Sequence, residues 1–179
     1  SCAAASIAGI APASQPTTGI AGIHDAHGGL ITIPVVVHVL YQSEAQNIST
    51  AQIQSGIDAL NRDFRRRNAD SVHTPQRFKH LAADVQIEFV LATADPQGRP
   101  TTGIIRKQTT VKEWAADNKI KQSRFGGADA WSSRSYLNIW IGHLPRSLGY
   151  ATAPGADTLQ DGIVITTSVF GTLGKSGPY

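Results

Sequence analysis

Cysteine occurs only once, at Cys2, so no internal disulfide and no cysteine-built metal cluster can form. Methionine is absent altogether, even at the first position, which gives the expectation of an excised or processed segment. Charge is sparse and nearly balanced, with 16 Lys and Arg against 13 Asp and Glu. The densest basic stretch runs from Arg62 to Arg67, at the end of an expected helix, where cations complement the carboxyl end of the helix dipole. No second basic patch interleaves with aromatic residues, so a nucleic acid is not the expected partner. No apolar run is long enough to cross a membrane.

What is present suffices for one ordinary domain and a tail: 179 residues, 41% of them hydrophobic. The first 22 residues, SCAAASIAGIAPASQPTTGIAG, carry no charge and little that could be buried, and residues 1–30 read as a flexible leader or linker. Ser1-Cys2 matches the end of a lipoprotein signal, so a lipid anchor on Cys2 is one expectation and an ordinary tail cysteine the other.

Order begins at LITIPVVVHVLY (30–41), whose β-branched run fits a strand buried on both faces. Ser49 followed by Gln52 forms a capping-box pattern. Ile53, Ile57, Leu60 and Phe64 then recur at helical spacing, predicting a helix over about 49–67. DVQIEFVLAT (84–93) alternates as a second strand, and strand–helix–strand predicts a parallel pair. Asp95-Pro96-Gln97-Gly98 is a turn by its chemistry, leading to a third strand, TGIIRKQTT. A short helical piece is expected near Val111–Asp117. SYLNIWIGHL is a fourth strand, with Leu137, Ile139 and Ile141 on one face and Tyr136, Asn138 and Trp140 on the other. SLGYATAPG reads as a short edge segment closed by Pro154-Gly155, and DGIVITT as the last strand.

The candidate sites are mostly weak. Gly174-Lys175-Ser176 suggests a phosphate loop, but the full pattern needs glycine where Val169 stands, and Pro178 opposes the helix that phosphate binding requires. Six histidines occur (His24, His27, His38, His73, His80 and His143) and none is followed by glutamate. His24 and His27 are spaced like paired ligands without a third; His38, inside the first strand, is expected to bond a backbone or side-chain partner. Three converging ligands, which a catalytic zinc needs, are not evident. Asp157 and Asp161 read as turn-capping carboxylates.

Seven blocks taken in order carry a stronger signal: IPVVVHVLYQ, NISTAQIQSGIDALNRDFRRRNAD, TPQRFKHLAADVQIEFVLATADPQG, TTGIIRKQT, YLNIWIG, LGYATAPG and DGIVI…FGTLG. Together they resemble the bacterial branch of the pappalysin family of metzincin zinc endopeptidases, over about residues 31–179. The resemblance implies an α/β fold. Residues 31–179 would be the upper, N-terminal subdomain of a metzincin-like catalytic domain: a twisted, mostly parallel sheet with one antiparallel edge strand and backing helices. It implies a secreted or cell-surface enzyme, with a peptide or protein as substrate. Leu148, Gly149, Tyr150, Ala151 and Thr152 would pair with that peptide as an added strand.

In such enzymes the loop after FGTLG leads to a helix with H-E-x-x-H, which supplies zinc ligands and the glutamate that activates water. The sequence stops at Tyr179, so no catalytic or zinc-binding residue carries over to a position here. Zn2+ would belong to the complete enzyme, as would any Ca2+, with ligands outside this chain. Alone, the segment is expected to be inactive and to expose the sheet face or cleft floor that the remainder covers. Two alternatives stay open: a non-catalytic module that captures peptides on its sheet edge and, less well supported, a nucleotide-binding protein.

Overall fold

The computed structural model describes residues 29–153, 155 and 157–174. The expectations for Cys2, His24, His27, Lys175 and Ser176, and for all but the end of the 1–30 leader, lie outside the described residues.

Strand β1 (Ile31–Tyr41) is an interior strand of the sheet, and its Val35, Val36, Val37 and Val39 are fully buried, as its β-branched run predicts. Strands β2 (Ile87–Leu91) and β3 (Ile104–Gln108) lie end to end along one side of β1, both parallel to it. Between them residues 92–103 leave the sheet and return. Ala92 N–H donates to the Val35 carbonyl at 2.9 Å and Val37 N–H to the Gly103 carbonyl at 2.8 Å. The return needs glycine: Gly103 has φ of 71°, and a Cβ there would stand 2.6 Å from the Ala92 nitrogen. The Asp95–Gly98 turn closes within this excursion through Gly98 N–H to the Asp95 carbonyl, 2.8 Å.

On the other side β4 (Leu137–Gly142) pairs parallel with β1, β6 (Ile163–Thr166) pairs parallel with β4, and β5 (Gly149–Ala151) closes the edge antiparallel to β6. The order is β2–β1–β4–β6–β5 with β3 beside β1.

Helix α1 (Thr50–Phe64) covers one face, where Ile53 and Ile57 meet Val35, Val37, Val39, Ile139 and Ile141. It is shorter than 49–67. Arg65 is its C-cap, and Arg66 enters the left-handed region at φ of 51°, so of the basic run only Arg62 lies in the last helical turn. The capping box at its start is half made. Ser49 Oγ accepts from Gln52 N–H at 3.1 Å, but the Gln52 side chain donates to the Phe170 carbonyl at 2.9 Å instead of reaching back.

The opposite face corrects one expectation and narrows another. Val111–Asp117 forms no helix, and α1 is the only α-helix among the described residues. An irregular stretch with 3-10 turns at Lys119–Lys121 and Ser123–Phe125 does the covering: Trp114 and Ile120 pack with Leu40, Trp140, Leu144 and Val164. The physical reason is docking. Trp114 N–H is taken by the His143 carbonyl at 2.9 Å, and its indole, with Ile120, fills the space over Gly142, whereas a seven-residue helix would be marginal by itself. Both sheet faces are therefore covered among the described residues, so of the two expected exposures, sheet face or cleft floor, the sheet face is not the one.

Candidate substrate-binding edge

Each position of the short edge strand has a distinct task. Thr166 N–H donates to the Leu148 carbonyl at 2.9 Å, and Thr152 N–H to the Gly162 carbonyl at 3.1 Å, with Tyr150 opposite Val164. Hydrogen-bonding direction alternates along an antiparallel pair. Leu148, Tyr150 and Thr152 thus turn their backbone groups toward β6, while Gly149 and Ala151 turn theirs outward. The outward set carries one weak contact, Ser147 Oγ to the Gly149 carbonyl at 3.4 Å. Glycine at 149 permits the close approach, since a Cβ would stand 2.5 Å from the Val164 carbonyl oxygen. Leu148 is exposed.

The far edge of the sheet, made of β2 and β3, is capped at Phe89. The Asn61 carboxamide, on α1, accepts from Phe89 N–H at 2.7 Å and donates to the Phe89 carbonyl at 2.9 Å, imitating a neighbouring strand's peptide unit. Gln86, with φ of 54°, breaks the strand just before it. β5 is the antiparallel edge on the opposite side of the sheet.

A row of side chains across the sheet supports this edge. His38, Trp140, Val164 and Tyr150 are cross-strand neighbours on β1, β4, β6 and β5. His38 stacks on Trp140 with ring centroids 5.2 Å apart. Lys121 lies 1% exposed beneath the edge, its Nζ 5.3 Å from the Trp140 ring centroid and 5.2 Å from that of Tyr150. Nζ donates to Thr152 Oγ1 at 2.6 Å and to the Gln160 carbonyl at 2.7 Å. Burial lowers the Lys121 pKa from its ordinary value, opposed by the charge of Asp161. Burial likewise raises that of the Tyr150 phenol, beside the Asn118 backbone.

The histidines do not converge. His38 Nε2 lies 3.1 Å from Asn138 Oδ1, and desolvation lowers its pKa to about 4 against the pull of that bond and of the Asp129 charge. His73 is exposed near Asp70, His80 is exposed, and His143 is half-buried. Asp157 caps a turn through Leu159 N–H at 2.9 Å, and Asp161 lines a separate cavity of about 260 Å³ with Pro34 and Tyr136. Among the described residues no group of three His, Cys, Asp or Glu could hold a metal ion. Lys121, Asn61 and Asn138 escaped the sequence reading. Only Asn138, polar on a strand face it shares with Tyr136 and Trp140, gave a usable signal.

A scan against models of known families finds no match, and a search of curated proteins finds none either. Solved structures do match. One of mirolysin in complex with a compound is 47% identical with a TM-score of 0.79, covering 84% of this chain and 58% of that one. Mature mirolysin from Tannerella forsythia with a cleaved peptide is 46% identical with the same TM-score and coverage. A promirolysin variant from the same organism is 46% identical at a TM-score of 0.79, covering 85% of this chain and 52% of that one. The chain thus spans little more than half the length of these proteins, and over that span it has their metzincin-like fold, a mostly parallel sheet with one antiparallel edge strand.

Proposed function

We propose that residues 31–179 are the upper subdomain of a pappalysin-like zinc metalloendopeptidase, secreted or held at the cell surface, with residues 1–30 as its leader. In this reading β5 takes an extended substrate peptide as an added strand. The observation that carries it is the outward aim of the Gly149 and Ala151 backbone groups at the sheet's antiparallel edge. Support also comes from the likeness to mirolysin, a metalloprotease whose mature form is solved with a cleaved peptide. Leu148, Tyr150 and Thr152 hold the strand in place; Gly149 and Ala151 meet the peptide.

The described residues do not fit a zinc site, because His38 is committed to Asn138 and no donor set of three assembles. Zn2+, and any Ca2+, would be held by residues outside those described, and the 179-residue chain is inactive by itself in this reading.

The test is amide exchange with a non-cleavable extended peptide. Protection appearing at Gly149 and Ala151, with Tyr150 and Thr152 already protected by β6, is the expected result. No protection anywhere on β5 overturns the edge. Chelator-sensitive peptidase activity in the 179-residue chain overturns its inactivity; peptide capture without activity when the coding sequence is extended past Tyr179 points to a binding module.

A further inference from the structure

Lys121 is a buried cation without a carboxylate in ion-pair contact among the described residues. Removing an ammonium from water costs several kcal/mol by itself, so its retention needs a reason that an apolar residue could not supply. Two kinds of compensation surround it. The faces of Trp140 and Tyr150 present their negative quadrupoles from the sheet, and the oxygens of Thr152 and Gln160 accept its protons.

The placement of those oxygens matters. Thr152 follows β5 and Gln160 precedes β6, so the two residues form the neck of the loop that joins the strands. The Thr152 hydroxyl also donates to the Gln160 carbonyl, and Lys121 closes the triangle. Lys121 comes from a different part of the chain, and its own position is fixed. Asn118 adopts φ of 60° to start the turn, Lys121 N–H donates to the Asn118 carbonyl at 3.1 Å, and neighbouring Ile120 is fully buried. Gly127 lets the chain fold back over this turn, since a Cβ there would stand 2.2 Å from the Ile120 carbonyl oxygen.

A three-residue edge strand paired on one side has little stability of its own. Strand addition nevertheless requires its outward groups to stand in register before the peptide arrives, since ordering them on binding would weaken affinity. We infer that Lys121 is a positioning residue for peptide binding: its ammonium pins the β5–β6 neck and the Tyr150 ring, and so presets the outward backbone groups of Gly149 and Ala151. This rests on the reading of β5 as the peptide-binding edge. Lys121 itself does not touch the peptide.

The test compares Lys121→Met, which keeps the stem's volume and loses the charge, with Thr152→Val, which removes only the hydroxyl. Both are made in the 179-residue chain, and affinity is measured for a non-cleavable extended peptide. Each variant is expected to bind about tenfold more weakly, the effect of one lost charge-assisted hydrogen bond. Tyr150 and Thr152 amides should exchange faster in the free protein while those of β1 and β4 keep their protection, a local signature that general destabilisation would not give. Unchanged affinity and unchanged β5 exchange in a folded Lys121→Met overturns the proposal. If that variant does not fold, Thr152→Val decides alone, by the same two readouts. Should the unmodified chain show no peptide protection while the variants still loosen β5, the edge reading fails and the neck-pinning stands; peptide protection with indifferent variants means the reverse.

Discussion

Asn138 on β4 and His38 on β1 meet diagonally across the strand pair, with Asn138 Oδ1 3.1 Å from His38 Nε2. The same oxygen accepts from Trp131 N–H at 2.8 Å, and Asn138 Nδ2 donates to the Trp131 carbonyl at 2.8 Å. With the amide nitrogen so engaged, His38 must be the donor, which fixes its proton on Nε2 and leaves Nδ1 as a buried acceptor. One fully buried carboxamide thereby fastens the irregular covering segment to the centre of the sheet.

Asn138→Ala should therefore be among the most damaging substitutions. It strands the His38 N–H and both backbone groups of Trp131, each an unsatisfied group in a buried or half-buried setting. A loss of about 3–5 kcal/mol is expected from the summed desolvation of these groups. Chemical denaturation measures it. A loss below about 1 kcal/mol would mean that water replaces the amide without difficulty.

The buried imidazole makes a pH prediction. His38 has a pKa of about 4 in the folded chain against 6.5 when exposed, so between these values the unfolded state binds more protons. Stability then rises with pH across that window and falls on acidification, by on the order of 3 kcal/mol in total. Above pH 6.5 this residue adds no further slope. In His38→Gln, which keeps a donor for Asn138, the dependence between pH 4 and 6.5 should flatten; an unaltered slope would assign it to carboxylates instead.

How much of this could be read in advance follows from where the signals are local. The valine run around His38 announces a strand buried on both faces because neither face tolerates a polar alternation. The four apolar residues from Ile53 to Phe64 announce a helix because their spacing matches its turn. Gly149 to Thr152 could be placed on an edge because a proline follows them closely. By contrast, Lys119 and Lys121 look alike in sequence, yet one lies in solvent beside Asp117 and the other is buried under aromatic rings. Nothing local tells them apart, because the rings arrive from β4 and β5. The segment around Trp114 misleads for the same reason: its conformation is set by Gly142 and His143 across the sheet, and its own helical pattern loses to that docking. The placement of β2 and β3 end to end on β1 likewise depends on Gly103, whose need for a positive φ shows only in the fold.

Asn61→Leu tests the cap on the far edge at Phe89. It removes both bonds to Phe89 and exposes that strand's outward groups, at an expected cost of about 1–2 kcal/mol. A second effect matters more: an open edge templates pairing with another chain, so self-association at high concentration should rise. Sedimentation measures it. A variant that stays monomeric would show that Asn61 is not what guards this edge.

Gly149→Ala addresses the proposed peptide-binding edge. Gly149 has no positive φ, so alanine is conformationally acceptable there, and the damage comes only from space: its methyl would stand 2.5 Å from the Val164 carbonyl oxygen. That atom is backbone and cannot swing aside, so β5 must move away from β6. The strand lies at the periphery and contributes little to the core, so the thermal midpoint should fall by no more than about 4 °C, equivalent to under about 1 kcal/mol. Peptide affinity should suffer far more, by about tenfold or greater, because a displaced strand presents its outward N–H and C=O groups out of register. Ala151→Gly is the control, since it removes a side chain from the same strand without forcing any movement. If Gly149→Ala binds peptide as well as the unmodified chain does, β5 is not the surface on which the peptide aligns.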